Sequence, residues 1–122
     1  MIRRAALAVV LSTGAALAQD APSGLAEAQG ALLRGLDKVA GAASDISLSV
    51  GQSVDYGHIT VTLKECRYPA DDPASNAYAY LVITDKETGK DYFDGWMIAD
   101  SPALSALDHQ RYDVWVMRCR TE

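Results

Sequence analysis

Ser101, Ser105, Asp108, His109, Tyr112 and Asp113 crowd between Trp96 and Trp115 of a 122-residue chain. A serine, a histidine and a carboxylate can build an acyl-transfer site. The serine would attack, His109 would take its proton, and Asp108 or Asp113 would orient the imidazole. Two features speak against that use. Adjacent residues such as Asp108 and His109 point apart on most backbones, and no Gly-x-Ser-x-Gly elbow is present to expose a serine. A structural role covers every member: Ser101 caps a helical turn, Asp108 and His109 end it through side-chain-to-backbone bonds, and Tyr112 packs. A small hydrolase using His109 with Ser101 or Ser105 is therefore the alternative, not the main expectation.

Metal chemistry has His58, His109, Cys66, Cys119 and many carboxylates to draw on. None stands at i, i+4 helical spacing or in CxxC, HExxH or EF-hand order. The glycines of residues 51–57 (GQSVDYG) have the wrong spacing for a phosphate cradle. Asp71 with Asp72, and Asp91 with Asp94, read as solvated charges. No cofactor is expected, and a small-ligand or metal carrier is a second alternative. Recognition remains. Tyr92, Phe93, Trp96, Tyr112 and Trp115 are ring types enriched at interaction hot spots. With one Phe in the chain, at least one tryptophan is expected inside the core. The candidate surface is Trp96, Ser101, Pro102, Asp108, His109 and Tyr112, docking a protein or envelope component.

The first eighteen residues stand apart from the elements that must position these side chains. Met1-Ile2-Arg3-Arg4 is a positive leader, Ala5 to Leu17 an apolar run, and Ala16-Leu17-Ala18 a small-x-small cleavage site. Together they form a secretory signal peptide, cut after Ala18, and a periplasmic product is expected. The run is shorter than the ~20 apolar residues of a spanning helix, so no anchor is expected after cleavage. Cleavage removes two arginines and no carboxylate, taking the net charge from −5 to −7 and the length from 122 to 104 residues. Such an acidic chain disfavours unselective binding to nucleic acid or anionic lipid.

Export makes the two cysteines informative. Cys66 and Cys119 both survive cleavage and meet an oxidising compartment, where an even pair usually bridges. Closing a loop across 53 positions would constrain the unfolded chain by about 4 kcal/mol. Two free thiols or a metal pair is the competing reading.

Residues 19–35 are rich in Ala and Gly, with Leu25, Leu32 and Leu36 at helical spacing, and read as a flexible or weakly helical segment. Gly24, Gly30 and Gly35 weaken that helix. From residue 36 to 122 the period becomes two, in one β domain. Ile46 and Leu48 alternate with serines. Ile59, Val61 and Leu63 alternate with Thr60, Thr62 and Lys64, the pattern of a half-buried antiparallel strand. Residues 51–57 separate these two strands. Residues 77–84 form another, Asp85 to Lys90 is a turn with Gly89 suited to positive φ, and Tyr92 to Ile98 is the return arm. Ser101-Pro102 opens one short helical turn that faces Leu104 and Leu107 inward. Tyr112 to Cys119 is the last strand. The expected fold is all-β, a small antiparallel β-sandwich or partly open barrel.

The stretch Gly95-Trp96-Met97-Ile98-Ala99-Asp100-Ser101-Pro102-Ala103-Leu104-Ser105-Ala106-Leu107-Asp108-His109 is followed by Tyr112-Asp113-Val114-Trp115-Val116 and Cys119. It resembles the signature of the DUF2155 family, small exported alphaproteobacterial proteins of no established function. Leu36-Asp37-Lys38-Val39 and the Cys66 region resemble the family's other landmarks, so the likeness spans about residues 36 to 120. Ile98 and Gln110 depart from the pattern, where an aromatic residue and a proline are expected. The resemblance implies an exported β domain and supplies no reaction. A noncatalytic interaction module is thus the favoured expectation.

Overall fold

The computed structural model describes residues 24–121; the expected leader and its cleavage site lie outside them. Among the described residues eight strands run in chain order: β1 (Leu25–Glu27), β2 (Gly30–Asp37), β3 (Ala42–Ser49), β4 (Ser53–Tyr56), β5 (Ile59–Pro69), β6 (Tyr78–Asp85), β7 (Asp91–Ile98) and β8 (Tyr112–Arg120). One 3-10 turn, Pro102–Leu104, precedes β8. All pairing is antiparallel. A five-stranded sheet has the order β1-β5-β6-β7, with β4 beside β1 on the same edge of β5, and a three-stranded sheet has the order β3-β2-β8. The sheets do not close into a barrel; the sandwich expectation holds.

Period-two patterning builds this arrangement. Ile59, Val61 and Leu63 of β5 and Ala79, Leu81 and Ile83 of β6 point inward from the larger sheet. Ala31, Leu33, Ile46, Leu48, Val114 and Val116 point inward from the smaller one, and the two sets form one core. β5 is long enough to serve two partners. Ser53–Tyr56 pairs with its first half and Leu25–Glu27 with its last residues.

Both cysteines reach the core through a break in the alternation. Leu63 pairs with Leu81 but Glu65 with Tyr80, so Lys64 is an extra, bulged residue. Leu33 pairs with Val116 but Leu32 with Arg118, so Met117 is another. A bulge shifts the side chains that follow by one position. Cys66 and Cys119 therefore turn inward, each two residues after its bulge. Their Cα atoms are 5.8 Å apart and their sulfurs at disulfide-bonding distance, joining the two sheets.

Three expectations need correction. The described part of residues 19–35 is strand, not helix or flexible segment: Gly30 and Gly35 fit where Arg120 and Tyr56 lie against the β2 backbone. The domain accordingly reaches back past residue 36. Residues 51–57 do more than separate strands, since β4 lies within them. Neither tryptophan fills the core. Trp96 and Trp115 lie on the outer faces of the larger and smaller sheets, and Tyr112 is the large ring inside.

Candidate functional site

Between β7 and β8 the chain crosses from one sheet to the other, and the turn joining β2 to β3 holds that crossing. The Asp37 carboxylate accepts from the amides of Val39 (3.0 Å) and Ala40 (3.1 Å), which shapes the turn. The same carboxylate accepts two bonds from Arg111, from Nε at 3.1 Å and from a terminal nitrogen at 2.9 Å. The Arg111 bonds, then the Ala40 amide, hold the Asp37 carboxyl down at about 2 against some opposing desolvation. Next along the turn, Lys38 Nζ donates to the His109 carbonyl at 2.7 Å, and the Lys38 amide donates to the Arg111 carbonyl at 2.8 Å.

His109 sits in an aromatic cluster. Its ring centroid is 4.5 Å from Tyr92, edge-on, and 5.2 Å from Tyr112. Nδ1 accepts from the Arg111 amide at 3.0 Å and the Tyr112 amide at 3.2 Å. Tyr112, 2% exposed, places its hydroxyl over Gly57 and accepts from the His58 amide at 3.1 Å. Gly57 opens the β4–β5 hairpin at φ +60°, and a Cβ there would strike the Tyr112 ring. Tyr56 meets the same ring edge-on at 5.5 Å.

This geometry fixes what His109 can do. Two amides on Nδ1 require that nitrogen to be unprotonated, so the proton of the neutral ring is on Nε2. Burial lowers the imidazole's proton affinity, and the nearby Lys38 charge lowers it further. Nδ1 is thus spent on the backbone. Among the described residues no hydrogen bond joins His109 to Ser101, Ser105, Asp108 or Asp113. His109 does end the turn through side-chain-to-backbone bonds, as the sequence implies, whereas no such bond is found for Asp108. Ser101 precedes the 3-10 turn without a side-chain cap, and Pro102 takes the first position. Leu107 is buried as expected, but Leu104 is 75% exposed, because so short a turn cannot face both leucines inward.

The six residues of the expected surface separate into three places. Tyr112 is core, which removes it from any docking surface, and His109 packs beside it. Pro102 lines a shallow groove of about 410 Å³ with Ala103, Ala106, Asp113, Val114 and Trp115. Asp108 is exposed and Ser101 half-buried on the same crossing. Trp96, 36% exposed, stands on the outer face of the larger sheet. There Tyr80 meets it edge-on at 5.3 Å and the Arg67 guanidinium lies 5.8 Å from its ring centroid.

Sequence reasoning missed Asp37, Lys38 and Arg111 as the anchors of the crossing, and Arg67 and Tyr80 as neighbours of Trp96. An Asp followed four positions later by Gly41 is a turn signal for Asp37. The others depend on strand pairing that no local pattern records. Among the described residues, no group of three or more His, Cys, Asp or Glu side chains is placed to hold a metal ion, and no helix is long and apolar enough to cross a membrane.

Comparison with known proteins places these elements among relatives. A family model described as an uncharacterized protein conserved in bacteria, DUF2155, matches residues 31–119. An uncharacterized protein of Rickettsia prowazekii, RP359, is 28% identical over 87 residues, covering 69% of this chain and 56% of that protein. The match thus spans little more than half of the relative's length. No solved structure matches the chain.

Proposed function

The chain belongs to the DUF2155 family, and from that premise we propose that it is exported, processed after Ala18, and acts in the periplasm as a noncatalytic module that binds a protein or envelope component. The observation that carries the binding role is the outer face of the larger sheet. An antiparallel sheet facing water is usually polar on that side. Here Tyr78 lies beside Ile98, Tyr80 beside Trp96, and Arg67 reaches the indole. Trp, Tyr and Arg are the residue types that dominate binding hot spots. Tyr80 also donates to Asp94, so its ring is already oriented and little freedom is left to lose on docking. Export is supported by the leader and by a cysteine pair at bonding distance, which persists in oxidising compartments.

The crossing between β7 and β8 supports this reading over hydrolysis, since backbone amides hold the His109 Nδ1 lone pair and leave the proton on Nε2, the nitrogen that would have to accept from a serine. The test is chemical crosslinking in intact cells followed by purification of the tagged protein. A Trp96→Ala, Tyr80→Ala variant should lose the wild-type partner while keeping its circular dichroism. An unchanged partner set would refute the surface. Amino-terminal sequencing should begin at Gln19; recovery of the uncut chain would refute processing.

A further inference from the structure

We infer that the free edge of β8 is where two copies of this chain join, antiparallel, about a twofold axis passing beside Trp115. β8 ends the three-stranded sheet, and among the described residues only β2 pairs with it. Among the described backbone hydrogen bonds outside the ladders, none reaches Asp113 to Arg120. Two grooves run along the strand. One, about 410 Å³, lies between Asp113 to Trp115 and the Pro102, Ala103 and Ala106 side of the crossing; the other, about 550 Å³, lies between Arg118 to Thr121 and Pro73 with Ala74. An unpaired edge is a template for another strand.

The occupant is read from the charges. Outward from the smaller sheet, β8 presents Asp113, Trp115 and Arg118, opposite Leu36, Arg34 and Leu32 of β2. Laid antiparallel against its own copy, that row places Trp115 against Trp115 and each Asp113 against the other copy's Arg118. The Met117 bulge makes the count work. Arg118 is three steps along the strand from Trp115 and Asp113 is two, and a bulge sets two residues against one. Both charges are available for this pairing. Arg34 pairs with Asp45, Arg67 with Glu65, Arg111 with Asp37, and Arg120 reaches Leu48 and Ser49. Among the described residues neither Asp113 nor Arg118 has an ion-pair partner. The opposite edge, β3, presents Ala43, Asp45, Ser47 and Ser49 on the same outward face, with no large ring to anchor a mate. Pairing β8 with its copy merges two three-stranded sheets into one of six strands. This interface lies on the smaller sheet, apart from the Trp96 face, so loss of the partner and loss of the dimer are separate outcomes.

Sedimentation of the purified, oxidised protein tests it. The expected result is twice the monomer mass, with Asp113→Arg and Arg118→Asp each weakening self-association by about tenfold or more, because each creates two like-charge contacts per dimer. The double variant D113R/R118D should recover most of the wild-type affinity, while Trp96→Ala leaves the mass unchanged. Arg118 is an exposed position, so R118D keeps the fold and remains informative if D113R does not. A monomer at millimolar concentration, a dimer indifferent to R118D, or a double variant as weak as its parents would overturn the proposal.

Discussion

The two ends of the sandwich are closed by different chemistry. At one end a single pair of sulfurs at disulfide-bonding distance, Cys66 and Cys119, ties β5 to β8. At the other, where those strands carry Ile59 and Tyr112, closure is distributed over Gly57, Tyr112, His109, Arg111 and Asp37. A disulfide acts on the unfolded chain by shortening its reach, and neither salt nor mild acid touches it. The distributed end is strongest while Asp37 is charged and His109 neutral. Redox conditions should therefore govern one end and pH the other.

Reduction should produce the largest effect. Cys66→Ser with Cys119→Ser is expected to lower stability by about 4 kcal/mol, read from urea unfolding, and a reductant should shift wild type equally and the double variant not at all. Gly57→Ala attacks the other end, forcing a Cβ into both a positive φ and the Tyr112 ring. A loss of roughly 2 to 3 kcal/mol is expected, of similar size with and without reductant. If the two losses proved strongly non-additive, the ends would not be independent.

His109→Leu leaves two backbone amides without their acceptor, and a cost of about 1 to 3 kcal/mol is expected. His109→Asn offers an oxygen in the place of Nδ1 and should recover much of it. The pH dependence separates the two roles. Because the folded imidazole binds its proton less readily than the unfolded one, the unfolded chain protonates first as pH falls. His109 contributes in full above its ordinary value of 6.5 and progressively less below it. Urea midpoints should therefore drop below pH 6.5 in wild type, and H109N should be flatter there. Asp37 marks a later step. Its contribution is complete above the ordinary carboxyl value of 3.8 and disappears as pH falls through about 2. Asp37→Asn should weaken that low-pH dependence, measured as the difference in midpoint between pH 5 and pH 2.5, without altering the response to reductant; Asp85, its carboxyl also held down by the Thr88 and Glu87 amides, supplies a further share.

Much of this scaffold was readable where side chains alternate against one core. Ile59 to Leu63, residues 77–84 and Tyr112 to Val116 announce themselves as strands, and Gly89 adopts the positive φ its turn requires. Reading failed where tertiary neighbours replace local preference. Leu25, Leu32 and Leu36 match a helical period, yet Gly35 is buried under Tyr56, and close approach between sheets outweighs spacing. The tryptophans misled because ring size suggested core, whereas Leu81, Ile83, Leu33 and Leu48 fill it with Tyr112. Ser101 has the residue type of a cap without the bond. His109 was visible as a member of a polar cluster, but Lys38, which donates to its carbonyl, and Asp37, which holds the neighbouring Arg111, lie more than 70 positions away from the residues they bind.

The sulfur positions are set by arithmetic along the strand. From Leu63 to Cys66 and from Val116 to Cys119 the step is three where a plain strand would step by two or four. What related chains must preserve at residues 64 and 117 is a count, not a chemistry. Swaps of Lys64 or Met117 for other side chains should be common across the lineage, and a one-residue deletion there should be found only together with loss of both thiols.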